Sequence, residues 1–197
     1  MNARSFIAGI NCSLLIATLI ATLIVTVAAS PPAHAGDQAW TDGHRKPAGE
    51  LVKVVREATR RFRDVRVAEA EGYQLHFGCV SSPDRGAMGL HYVNMTLVGD
   101  GILQPDRPEI VIYEPLPNGR LRLIGADYLT LSGAWHANNA ATPQLMGQLL
   151  HLIQSPNRYG LPDFYTLHVW AWKKNPFGAY VNWHPGVSCE AFDGEAH

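Results

Sequence analysis

The sequence predicts an α+β domain in which a long N-terminal helix packs on a mainly antiparallel sheet. Three observations predict it. Helical periodicity is concentrated in one segment, residues 47–71. The strand-like segments that follow do not alternate with helices, as a parallel sheet would require. The turn Pro117-Asn118-Gly119 joins two β-rich runs as a hairpin.

The chain opens with a segment that belongs to targeting rather than to the fold. A single cation, Arg4, precedes an apolar run from Phe6 to Ala29, and Pro31-Pro32 and Ala33-His34-Ala35 follow it. This order of cation, apolar core and small-x-small site predicts a signal peptide over 1–35, cut between Ala35 and Gly36. The run also reaches the roughly 20 residues that span a bilayer, so an uncleaved anchor is the alternative. Both place the remainder outside the cytoplasm, secreted or periplasmic. Cys12 lacks the small-residue context of a lipoprotein site.

Residues 36–46 are polar and unpatterned and read as a flexible leader, leaving 47–197 as one globular domain. In the helical segment, Leu51, Val55, Ala58, Phe62 and Val65 share one face, with Pro47 in the first turn and Gly72 as terminator. Its arginines are interleaved with Glu57, Asp64, Glu69 and Glu71, which makes a solvated face rather than an anion site. Residues 73–80 are short and mixed in pattern, and strands are expected over 87–95, 109–113, 120–130 and 164–172. A loop over 132–142 and a short helix over 144–153 separate the last two.

With 16 Lys and Arg against 17 Asp and Glu, the chain has a net charge near −1. It has no basic field, which argues against nucleic acid as a partner. Membrane contact is expected only if the N-terminal apolar segment stays in place. The oligomeric state leaves no signature in the sequence.

Beyond the signal segment two cysteines remain, Cys79 and Cys189. In an oxidising compartment two thiols form a disulfide more often than a reactive pair. Such a bridge constrains the unfolded chain by about 4–5 kcal/mol in the chain-entropy account.

Three polar residues stand out because strand alternation sets each on an apolar or small-residue face. His91 shares its face with Ala87, Gly89 and Val93. Asp127 shares one with Leu121, Leu123 and Leu129, and His168 with Thr166, Trp170 and Trp172. A carboxylate on an apolar face needs a partner or a proton. Two histidines and one carboxylate on three strands are the ingredients of a 2-His-1-carboxylate site for one divalent transition metal ion. They are equally the ingredients of a hydrogen-bonded core cluster, which on the sequence alone takes precedence, because no H-E-x-x-H or C-x-x-C fixes local geometry. His76, Glu114, His136 and His151 are further candidate ligands.

No serine lies in a G-x-S-x-G context, and neither a phosphate-binding loop nor a dinucleotide fingerprint is present. The sequon Asn94-Met95-Thr96 reads as a chance match. Trp170, Trp172, Trp183, Tyr165 and Tyr180 crowd the C-terminal third, where packing is the first expectation and a ligand pocket the second.

The phrases MGLHYVN (88–94), IVIYEPLPNGRLRLIGADYL (110–129) and FYTLHVWAWKKNPFGAYVNWHPGVSC (164–189) resemble those of a family of uncharacterised exported bacterial proteins. The likeness extends to ATRRFRDVRVAEAEGY (58–73). It implies that His91, His168 and both cysteines are shared positions, and that Asp127 stands where members usually carry a glutamate. That departure keeps the charge and shortens its reach by one methylene. The family carries no activity to transfer. The function classes left open are a protein that binds a metal ion or small ligand, a metal-dependent enzyme, and a structural envelope protein.

Overall fold

A computed structural model describes residues 49–194. The signal segment, the leader, Cys12 and Pro47 lie outside the described residues. The fold is mostly sheet, and it overturns the expected α+β architecture: six antiparallel strands curl into a half-barrel, accompanied among the described residues by four short helices and no long N-terminal helix.

The expected helix breaks into three pieces: α1 (Gly49–Ala58), a 3-10 turn (Arg60–Arg63) and α2 (Val65–Ala70). Two residues with competing hydrogen-bonding side chains cause the breaks. Thr59 is fully buried, its hydroxyl donating to the Val55 carbonyl at 2.7 Å and accepting from Trp172 Nε1 at 2.9 Å. Asp64 takes extended backbone and caps α2 by accepting from the Arg66 amide. The apolar face survives these breaks, because a tighter turn keeps i and i+3 on the same side.

The strands are β1 (Gln74–Ser82), β2 (Gly86–Val93), β3 (Ile110–Pro115), β4 (Leu121–Leu131), the short β5 (Gln144–Leu145), β6 (Gln148–Leu149) and β7 (His151–Ile153), and β8 (Phe164–Val169). The large sheet runs β1-β2-β3-β4-β8-β7, and β5 and β6 form a separate pair. The hairpin at Pro117-Asn118-Gly119 joins β3 to β4, with Asn118 Oδ1 accepting from the Arg120 amide. Asn94 ends β2 and caps α3 (Met95–Asp100), which gives the sequon asparagine a structural task. The expected loop after β4 begins as α4 (Ser132–His136).

The short helix expected over 144–153 is instead β5, β6 and β7. Met146 and Gly147 both take positive φ, 48° and 85°, and this two-residue turn reverses the chain. The last strand stops at Val169, because the Trp170 amide donates to the Ala179 carbonyl rather than to a neighbouring strand.

The sheet buries different material on its two faces. The helical segment covers one: Leu51 and Val55 pack on Tyr128, Leu167 and Val169, and Phe62 packs with Tyr73, Leu90, Val111 and Tyr113. The other face gathers Ile110, Ile112, Ile124, Leu129, Phe164 and Trp170. Opposite Ile112 and Tyr113, β4 carries one extra residue, Ile124, which shifts its alternation. Leu121 and Leu123 therefore join the helical side, and only Leu129 keeps the company of Asp127 that strict alternation assigned to all three.

Cys79 and Cys189 are bonded across 110 residues, with Cα atoms 5.8 Å apart. The tail is also latched by paired backbone bonds between His184 and Ala87, and by Lys173, which reaches Glu114 at 2.7 Å. The bridge is compatible with an exported protein, and no helix among the described residues is long and apolar enough to cross a membrane.

Candidate metal centre

Three adjacent antiparallel pairings carry the polar trio to one place. β2 presents His91 opposite Ile112, β3 presents Ile110 opposite Asp127, and β4 presents Asp127 directly opposite His168 on β8. One donor atom from each of His91, Asp127 and His168 lies within 4.8 Å of the others. All three are buried, at 3%, 7% and 2% exposure, so bulk water does not serve as their common partner.

The hydrogen bonds around the trio leave acceptors converging. His91 Nδ1 lies 3.0 Å from the Gly89 carbonyl oxygen, which only accepts, so Nδ1 carries the proton and Nε2 keeps its lone pair. A backbone carbonyl behind the other nitrogen is how proteins orient a metal-ligating imidazole. Gly89 is required here: at φ 102° it holds that carbonyl in place, and a Cβ on it would come within 2.5 Å of the Tyr113 oxygen.

Asp127 Oδ1 accepts from the Thr166 hydroxyl at 2.7 Å and the Leu167 amide at 3.1 Å, which fixes the plane of the carboxylate. His168 lies against Trp170, with ring centroids 4.5 Å apart, and meets the His91 ring edge-on at 6.1 Å. Its Nε2 is fully enclosed and has no hydrogen-bond partner. An orphaned buried nitrogen costs about 1–3 kcal/mol and calls for an explanation.

Burial dominates the electrostatics. It lowers His91 to about 4, against the pull of the Gly89 carbonyl. His168 falls well below the ordinary histidine value, first by burial and then by the neighbouring His91 and His184. Burial lifts Asp127 to about 7, although the Thr166 hydroxyl and the Leu167 amide pull the other way. The imidazoles are thus neutral at pH 7, the form that binds metal, and the carboxyl lacks the cation that would hold it ionised.

The trio opens onto a cavity of about 40 Å³. Phe77, Ile110, Leu129 and Phe164 supply apolar wall, and Tyr159 and Asn182 supply polar wall. Phe77 stands in a bulge of β1, where two residues, Phe77 and Gly78, are added between the pairs His76–His91 and Cys79–Leu90. Both take positive φ, 63° and 57°, a conformation rare for a bulky side chain.

The other candidate ligands go elsewhere. Glu114 is held by Arg122 and Lys173. His136 contacts the Asn139 carbonyl and the Tyr165 hydroxyl, His151 is exposed on β7, and His76 lies beside Phe77. Of the C-terminal aromatics, Trp170 lies against His168, and Trp172 packs with the helical side instead. Sequence reading passed over Phe77 and Tyr159, and named Thr166 only as sharing the face of His168. Phe77 had one available signal, the following glycine inside a strand pattern, which marks bulges. No protein-family model, no curated protein and no solved structure matches the chain.

Proposed function

We propose that this exported protein binds one divalent transition metal ion through His91 Nε2, a carboxylate oxygen of Asp127 and His168 Nε2. The observations that carry the reading are the enclosed, unpartnered Nε2 of His168 and the approach of one ligand atom from each of His91, Asp127 and His168 to within 4.8 Å of the others. A cation satisfies all three at once. Two imidazoles and a carboxylate suit zinc or iron(II) and leave a coordination position open, as in catalytic rather than structural sites. The hydrogen-bonded alternative explains His91 and Asp127, each of which has a protein partner, but leaves the His168 nitrogen without one.

Elemental analysis of protein purified without an affinity tag or chelator tests the proposal. One equivalent of transition metal per chain is expected, lost in His91→Ala and in His168→Ala. Protein that takes up no zinc, iron, copper, manganese or cobalt on dialysis would sink it.

A further inference from the structure

We infer that the open position on this metal takes a small monoanion, and that Phe77 sets the size limit. The inference rests on the metal reading and extends it to a ligand class. Two neutral imidazoles and one carboxylate leave a divalent ion with one uncompensated positive charge. In a buried site that charge is expensive unless a counter-charge enters with it.

The protein supplies none from the cavity wall. The lining beyond the trio is apolar or polar without charge, and the nearby Glu109 is turned away, its Oε2 accepting from the Leu129 amide at 3.1 Å. The missing charge must therefore come from solution, as hydroxide or another monoanion. Size narrows the class. The cavity is small, about 40 Å³. The close-set apolar rings around this small space favour hydroxide, azide, cyanide or formate over an aromatic carboxylate.

Phe77 is the movable part of that limit. Ile110, Leu129 and Phe164 are fully buried, so the half-buried Phe77, Ile153, Tyr159 and Asn182 form the outer wall, with Phe77 and Tyr159 as its two rings. They meet edge to face at 5.3 Å. The β1 bulge that aims Phe77 inward uses the left-handed backbone that glycine adopts without strain. Phe77→Gly consequently removes the ring and relieves the backbone at the same position.

The test uses the full protein loaded with cobalt(II), with occupancy measured separately by elemental analysis. Azide should shift the visible cobalt bands with one-site saturation, and benzoate should leave them unchanged. In Phe77→Gly, at equal cobalt content, benzoate should shift them too. One bound cobalt whose bands ignore azide overturns the inference while leaving the metal site standing. Benzoate acting on the wild type, or remaining inert in Phe77→Gly, overturns the role of Phe77. Failure to bind cobalt overturns the metal reading and this inference together.

Discussion

The two faces of the sheet bury polar groups by opposite rules. On the helical side three tyrosine hydroxyls donate to backbone carbonyls: Tyr73 to Pro108, Tyr113 to Phe62 and Tyr128 to Pro105. The phenols of Tyr113 and Tyr128 each tie a strand to another segment, and among the described residues the Thr130 hydroxyl is left without a partner there. On the other side a carboxyl and two imidazoles face one another, and the most costly of their atoms has no partner. A face that spends its polar groups on backbone is built for stability. A face that leaves them pointing at a common space is the one on which the proposed metal reading rests.

This contrast can be broken at several points. The largest effect is expected where the faces are tied together, at the disulfide. Cys79→Ser should cost about 4–5 kcal/mol if the chain-entropy account applies, read as a lowered unfolding midpoint and a Cys189 thiol open to alkylation. A native protein whose two thiols already react would remove the bridge. Next comes the helical side. Phe62→Ala should cost about 3–5 kcal/mol in chemical denaturation while metal uptake per folded chain stays at the wild-type level. Lost uptake there would mean that the faces are not independent.

The site face should behave in reverse. His168→Leu removes a nitrogen that nothing satisfies, so the metal-free protein should stay within about 1 kcal/mol of wild type or become more stable, while metal uptake disappears. A large loss of metal-free stability would make His168 a structural residue.

The smallest effect is a pH dependence of the metal-free protein. Glu109, raised by burial to about 8, and Asp127, raised to about 7, hold protons that the unfolded chain releases near pH 4. Their stabilisation is complete below that range and is lost as pH rises through 7 to 8. His91 has the opposite sign: lowered to about 4, it contributes above its unfolded value near 6.5 and loses that as pH falls. Between pH 6.5 and 8 only the acids act, so the midpoint should fall as pH rises. Glu109→Gln should flatten that slope. An unchanged slope would show that Glu109 does not titrate there.

Legibility in the sequence followed the range of the forces involved. Strand alternation alone found His91, Asp127 and His168, because a polar residue on an apolar face is a local signal. The β3–β4 hairpin was legible for the same reason, its turn chemistry being contained in three residues. The long helix was misread because its apolar period runs unbroken through Thr59 and Asp64. The partner that fixes Thr59 is Trp172, far along the chain. The face of Leu121 and Leu123 was misread because one residue, Ile124, is accommodated as a bulge that alternation cannot anticipate. Phe77 was invisible for a related reason: its importance lies in a backbone conformation, not in its chemistry.

The three positions of the proposed metal site come from β2, β4 and β8, with β3 between the first two, so no two of them lie near one another along the chain. A metal ion therefore has nothing to hold until the last long strand has docked. Unlike a metal whose ligands sit in one short loop, it cannot seed the structure. Its contribution should appear on the other limb of the kinetics: a loaded protein that refolds no faster than the empty one, and unfolds far more slowly.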